Sequence, residues 1–198
     1  MKTALLLIDL QKDFFRTEYK DQDRARQVEH QLSENINRLL EIVRQHQIPV
    51  FFVITSLQPD GSNWNLRMKD LGSAICIHGT DGEAILPGIK TDKNDHIIKK
   101  TRYSAFFNTN LHETLQSMAI DILIMGGINT HACIRTSAVD AFMRDYRVFI
   151  PEECVASYDH DYHKETMEYF SQRIAAILPL DELIQRINNN DLKFNFSK

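Results

Sequence analysis

The chain has 198 residues, enough for one well-buried core and short for two, and is read as a single domain spanning 1–198. Hydrophobic residues make up 43% and charged residues 25%, with a formal net charge of −4, so no global positive field draws nucleic acid or an anionic membrane. The longest apolar runs, 4–8 and 49–54, are far too short to span a bilayer, and a strand-like run from Thr3 leaves no room for a secretory leader.

Three cysteines, Cys76, Cys133 and Cys154, form an odd set without a CxxC pair, which argues for a reducing, cytoplasmic setting rather than a disulfide framework. Residues 3–8 (TALLLI) do not alternate between apolar and polar, so they predict a strand buried on both faces. Val28, Leu32, Ile36, Leu39, Leu40 and Val43 then recur at helical spacing, giving one apolar stripe on a polar helix. Pro49 ends that helix and 50–54 is a second buried strand. Residues 56–95 are irregular, with five of the glycines plus Pro59 and Pro87, and a stretch that long commonly forms an active-site wall or an oligomer contact.

Alternation then resumes. Residues 96–99 are a third strand, 111–117 a short helix, and 121–125 (DILIM) a fourth strand ending at Gly126-Gly127. A helix over 131–144 presents Ile134, Ala138, Ala141 and Phe142 as its buried face, and 147–150 is a fifth strand stopped by Pro151. A helix over 162–174, a last strand over 175–178 and a helix around 181–187 complete the series. The tail 193–198 reads as solvated, with Phe194 and Phe196 as apolar residues able to dock. Six strands joined by crossover helices predict a three-layer α/β/α fold with a doubly wound, mostly parallel sheet. Sites in such folds lie beyond the carboxyl ends of the strands, here after strands one, three and four. No GxGxxG follows strand one, which removes a dinucleotide-binding reading.

Asp9 follows strand one, Lys100 follows strand three, and Cys133 lies in the turn from strand four into a helix. Each has an ordinary alternative: an Asp closing a strand caps turns, a Lys there is usually solvated, and a lone Cys is commonly a small core residue. Cys76 and Cys154 stay under that ordinary reading. Cys133 differs because it sits in the first turn of a predicted helix. Free N–H groups and the positive dipole end there, with the Lys100 ammonium, predict a lowered thiol pKa and fast alkylation near neutral pH.

Three segments, Leu7-Ile8-Asp9-Leu10-Gln11-Lys12-Asp13-Phe14, Lys100-Thr101-Arg102-Tyr103-Ser104-Ala105-Phe106 and 126–133 running on through Thr136, Ala138 and Asp140, resemble the isochorismatase-like cysteine hydrolases. His78-Gly79-Thr80-Asp81-Gly82 is a further family-like piece, and the likeness covers essentially the whole chain. The resemblance implies Asp9 as the general acid/base, Lys100 as the cation that holds thiolate and carboxylate, and Cys133 as a nucleophile forming a thioester. It also implies an oxyanion hole from the backbone N–H groups of Ala132 and Cys133, and a cis peptide at Ile128–Asn129. No cofactor is implied, and members assemble as dimers or tetramers.

The metal-binding nicotinamidases of that family carry an Asp-x-His pair after strand two and a later His. Here those places hold Leu57, Pro59 and Ile75, so the resemblance is to metal-free members and no zinc is expected. Isochorismatases cleave a vinyl ether without a cysteine nucleophile, so the presence of Cys133 favours C–N hydrolysis over ether hydrolysis. A catalytically idle interaction module is the third reading, and it predicts loss of at least one of the three residues. Gln11, Phe14, Trp64, Arg102, Tyr103, Phe106, Thr130 and His131 are the candidate substrate contacts. For Phe14 and Phe106 core packing is an equal alternative, for Trp64 an interface, for Arg102 a surface salt bridge, and for His131 either solvation or a Cys-His dyad.

Overall fold

The computed structural model describes residues 1–193; Phe194 and Phe196, the apolar residues of the tail, lie outside the described residues. The sheet has six strands: β1 (Lys2–Ile8), β2 (Val50–Thr55), β3 (His96–Lys100), β4 (Ile120–Gly127), β5 (Arg147–Pro151) and β6 (Ala175–Leu178). Their order is β3-β2-β1-β4-β5-β6 and every neighbouring pair is parallel. The chain thus winds outward from β1 first in one direction and then in the other, which opens a crevice where the order reverses, between β1 and β4.

The apolar runs form central strands because both faces find cover. Leu5 and Leu7 of β1 pack with Leu32, Ile36, Leu39 and Val43 of α2 (Gln22–Gln45) and with Leu183 and Ile187 of α7 (Leu180–Asn188). Ala4, Leu6 and Ile8 point the other way. They meet Leu111 and Leu115 of α4 (Leu111–Ser117), Ala138 and Ala141 of α5 (Arg135–Phe142) and Phe170 of α6 (His160–Arg173). Completely removing one such Leu or Ile side chain from water stabilises the fold by about 1.5–3 kcal/mol. The Asp21 side chain starts α2 by accepting from the N–H groups of Asp23 and Arg24, and Asp159 starts α6 by accepting from Tyr162.

Three expectations are corrected. Phe142, expected on the buried face of the helix after strand four, is 36% exposed, because it is the last residue of α5 and the buried face is completed by Ser137 instead. That helix does not begin at His131 as an α-helix: Thr130–Ile134 form a π-helical turn before α5 takes over. The segment 56–95 holds a short α-helix, α3 (Leu66–Leu71), capped by the Asn65 side chain, and a 3-10 turn over Asp81–Glu83. The first short helix, α1 (Lys12–Thr17), follows β1 directly and was not foreseen from spacing.

Candidate active site

Asp9 sits one residue past β1 with φ of 55°, a left-handed backbone that Asp tolerates better than most residues. Thr55 and Lys100 end β2 and β3 and are partners in the parallel register. Strands side by side stand about 4.8 Å apart, so the ends of β1, β2 and β3 present Asp9, Thr55 and Lys100 in sequence along one rim. Lys100 comes from the edge strand and reaches across β2. On the other side of β1, Gly127 ends β4 with φ of 122°, where an added Cβ would stand 2.0 Å from the carbonyl oxygen of Ile8. Only glycine lets the two strand ends approach so closely, and Ile128 N–H then donates to Ile8 O at 3.0 Å. The Ile128–Asn129 peptide is cis, and the π-helical turn carries Cys133 back over the rim.

The side chains converge. Lys100 Nζ lies 2.7 Å from Asp9 Oδ2, 2.9 Å from Thr55 Oγ1, 3.1 Å from the Arg102 carbonyl oxygen and 3.4 Å from Cys133 Sγ. Asp9 Oδ1 accepts from the Thr55 hydroxyl at 2.8 Å and from the Thr55 N–H at 3.1 Å, while Oδ2 takes the ion pair with Lys100. Asp9 and Lys100 are essentially inaccessible and Cys133 is 3% exposed. Taking two charges out of water costs several kcal/mol each, so such a pair persists only where it is closely matched and hydrogen-bonded. Burial opposes the Lys100 charge, yet Asp9 and Cys133 more than offset it and hold the ammonium above its ordinary pKa. For Cys133, burial comes first and the Asp9 carboxylate, also within hydrogen-bonding reach, adds to it; together they push the thiol well above the ordinary range despite Lys100. The expected lowering of the thiol pKa is therefore corrected: the resting thiol keeps its proton.

A cavity of about 260 Å³ opens over Cys133 and Lys100. Of the sequence-based candidates, Phe14, Arg102 and Tyr103 line it. The others stand elsewhere, for visible reasons. Gln11 is completely buried and ties strand ends together, accepting from Thr55 N–H at 2.8 Å and donating to the carbonyl oxygens of Thr55 and Glu83 at 2.8 Å each. Trp64 folds back so that its indole N–H donates to Gln58 O at 2.8 Å. Phe106 stacks with Tyr146 and the Arg144 guanidinium in the second core. Thr130 donates to Ala156 O at 3.0 Å, and His131 pairs through Nδ1 with the Ser157 hydroxyl at 2.7 Å, away from the thiol. Arg102 reaches the cavity edge but its guanidinium is held by the carbonyl oxygens of Asn63 and Thr101.

Residues that spacing did not single out complete the wall: Thr55, Glu18 just beyond α1, and Asn65, Arg67 and Met68 around α3. Thr55 obeys the strand-end rule that located Asp9 and Lys100; Glu18 carried no such signal. The Ala132 N–H donates to Asn129 O at 3.0 Å within the turn, so it meets a further acceptor only by sharing its hydrogen. At the places where metal-binding nicotinamidases offer ligands, Leu57 is buried and Ile75 lines the cavity, and neither carries a donor atom; the residues do not fit a metal.

A family model described as the isochorismatase domain matches residues 3–182. The chain is 34% identical over 149 residues to a probable inactive nicotinamidase of Arabidopsis thaliana, covering 73% of this chain and 74% of that protein. It is 29% identical over 186 residues to the phenazine biosynthesis protein PhzD of Pseudomonas fluorescens, covering 92% and 85%. Among solved structures, N-carbamoylsarcosine amidase from Thermoplasma acidophilum superposes with a TM-score of 0.77 at 26% identity, covering 91% of this chain and 98% of that one.

Proposed function

This chain belongs to the isochorismatase family of hydrolases, and from that premise we propose that it cleaves a C–N bond of a small amide, carbamoyl or ureido compound, with Cys133 as nucleophile, Asp9 as proton acceptor and Lys100 as the fixed cation. One observation carries the reading: a single buried ammonium stands 2.7 Å from a carboxylate and 3.4 Å from a thiol, beside a cavity that admits a small molecule. A thiol and a carboxylate that served only packing would leave the core more cheaply as apolar residues of similar volume. The named activity of a structural neighbour, an amidase, is of the proposed class.

The chemistry follows from the contacts. Because the thiol is protonated at rest, its proton passes to Asp9 as Sγ bonds to the substrate carbonyl carbon. The carbonyl oxygen becomes an oxyanion, received by the Cys133 N–H and, as a shared hydrogen, by the Ala132 N–H; each such donor contributes about 3–4 kcal/mol to the transition state. The tetrahedral centre collapses, the C–N bond breaks, and Asp9 returns its proton to the departing nitrogen. Water then adds to the thioester with Asp9 again taking a proton, releasing the acid and restoring the thiol. Lys100 stays charged throughout, and Thr55 fixes the carboxylate by two hydrogen bonds.

Ether hydrolysis of the isochorismatase type needs no thiol, and the buried Cys133, 3.4 Å from the Lys100 ammonium, is what favours C–N cleavage. The test is ammonia or amine release from a panel of small amides, ureas and carbamates, run beside isochorismate. Wild-type protein is expected to act on at least one member of the panel, and Cys133→Ala to lower that rate by roughly 10³-fold or more. Turnover of isochorismate alone, undiminished in Cys133→Ala, would overturn the proposal.

A further inference from the structure

Glu18 is used by none of these steps, yet it is the one carboxyl on the cavity wall among the described residues. It caps the carboxyl end of α1, and its Oε2 accepts from the side-chain Nδ2 of Asn129, the residue that follows the cis peptide and precedes the turn bearing Cys133. That contact is its one side-chain hydrogen bond among the described residues. Asn129 is 2% exposed and its Oδ1 has no hydrogen-bond partner, so Asn129 is held by Glu18 alone on this side. Glu18 shares the wall with the apolar Phe14, Met68, Leu71 and Ile75 and with the polar Asn65, Thr101 and Arg102, whose guanidinium is tied to backbone carbonyl oxygens; the cations that act on Glu18 are Lys100 in the depth and Arg67 on the exposed α3.

We propose that Glu18 selects the non-reacting end of the substrate, accepting hydrogen bonds from an amide, ureido or amino N–H and turning away a carboxylate. This rests on the C–N hydrolysis reading and names the substrate class more closely. A second carboxylate placed beside Glu18 would face like charge at close range, whereas an N–H group can donate to the carboxylate alongside Asn129.

Burial first, and the nearby Asp9 charge after it, raise Glu18 to about 7, against the lowering by Asn129, Lys100 and Arg67. Selection should therefore switch on as pH rises through 7, when Glu18 becomes an anion. Tyr19 and Tyr158, which also face Glu18, are both raised above the ordinary tyrosine value and stay neutral across this range, as does Cys76, raised by burial. His131, packed against Tyr158, is lowered by burial.

Two alkylating probes test this without knowledge of the substrate: iodoacetamide, which carries an amide N–H, and iodoacetate, which carries a carboxylate. The same Cys133 thiolate attacks the methylene carbon of either probe and displaces iodide, so the titration of Cys133 cancels in the ratio of their rates at that residue, read by peptide mass. In wild-type protein the iodoacetamide-to-iodoacetate ratio is expected to rise by about tenfold between pH 6 and pH 8.5, the size of one close like-charge contact in a partly screened site. In Glu18→Gln, which keeps an acceptor for Asn129, the ratio should stay flat within about twofold. A flat ratio in wild-type protein, the same rise in Glu18→Gln, or no labelling of Cys133 by either probe would overturn the proposal. Failure of every amide in the panel to release ammonia would instead strike the proposed reaction and leave this ratio standing on its own.

Discussion

Two cavities lie at opposite ends of the same sheet, and the larger is not the one that holds the chemistry. At the amino ends of β1, β2 and β4 a cavity of about 690 Å³ is lined by residues including Met1, Lys2, His46, Ile48, Ile120 and Ile187. Its polar groups belong to the surface: His46 meets Asn188 Oδ1 at 2.9 Å, and Lys2 donates through its N–H to Asp121 and through Nζ to Met118 O. At the carboxyl ends the cavity is about 260 Å³, yet its floor holds a lysine and a thiol, with an aspartate paired to them, all removed from water. The difference is one of electrostatic confinement. Charges that water reaches interact weakly, whereas buried charges must be paired closely and keep their protonation states poised against one another. Volume marks where a molecule fits; buried, mutually dependent charge marks where it is changed.

Substitutions at the two ends put that contrast at risk. Lys100→Met leaves Asp9 buried without its cation and should cost about 3–5 kcal/mol of stability, read by urea unfolding. An effect under about 1 kcal/mol would mean that the pair is solvated and the confinement absent. At the other end, His46→Ala removes a surface hydrogen bond and should change stability by no more than about 0.5 kcal/mol, with turnover unaltered. A loss of turnover there would make the larger cavity functional and erase the contrast.

Much of this was legible in the residues alone. Strands buried on both faces leave non-alternating apolar runs, which is why β1, β2 and β4 could be placed, and residues at the ends of such strands share a rim, which brought Asp9, Lys100 and Cys133 together. What spacing could not supply was the order of the strands. Lys100 comes from the edge strand and needs Thr55 of β2 as a bridge, a role that only the register reveals. Short helices of six residues, α1 and α3, lack the repeats that make longer ones visible, so Glu18 and Arg67 went unseen. Gln11 and Phe106 were placed near the substrate by sequence adjacency, but a side chain's neighbours depend on the face it occupies. The direction of the Cys133 shift was also beyond reach: it turns on whether burial and Asp9 outweigh Lys100, which is a matter of ångströms rather than of residue types.

The interplay of the three groups is tested most directly by measuring the rate of Cys133 alkylation by iodoacetamide at pH 7.5 beside turnover, in wild-type protein and in Asp9→Asn. Asp9 raises the thiol pKa and also accepts its proton, so removing its charge should speed alkylation by roughly tenfold or more while turnover falls by at least about 10²-fold. Alkylation unchanged in Asp9→Asn, or turnover retained, would mean that the carboxylate and the thiol do not act on one another, and the shared site would be lost.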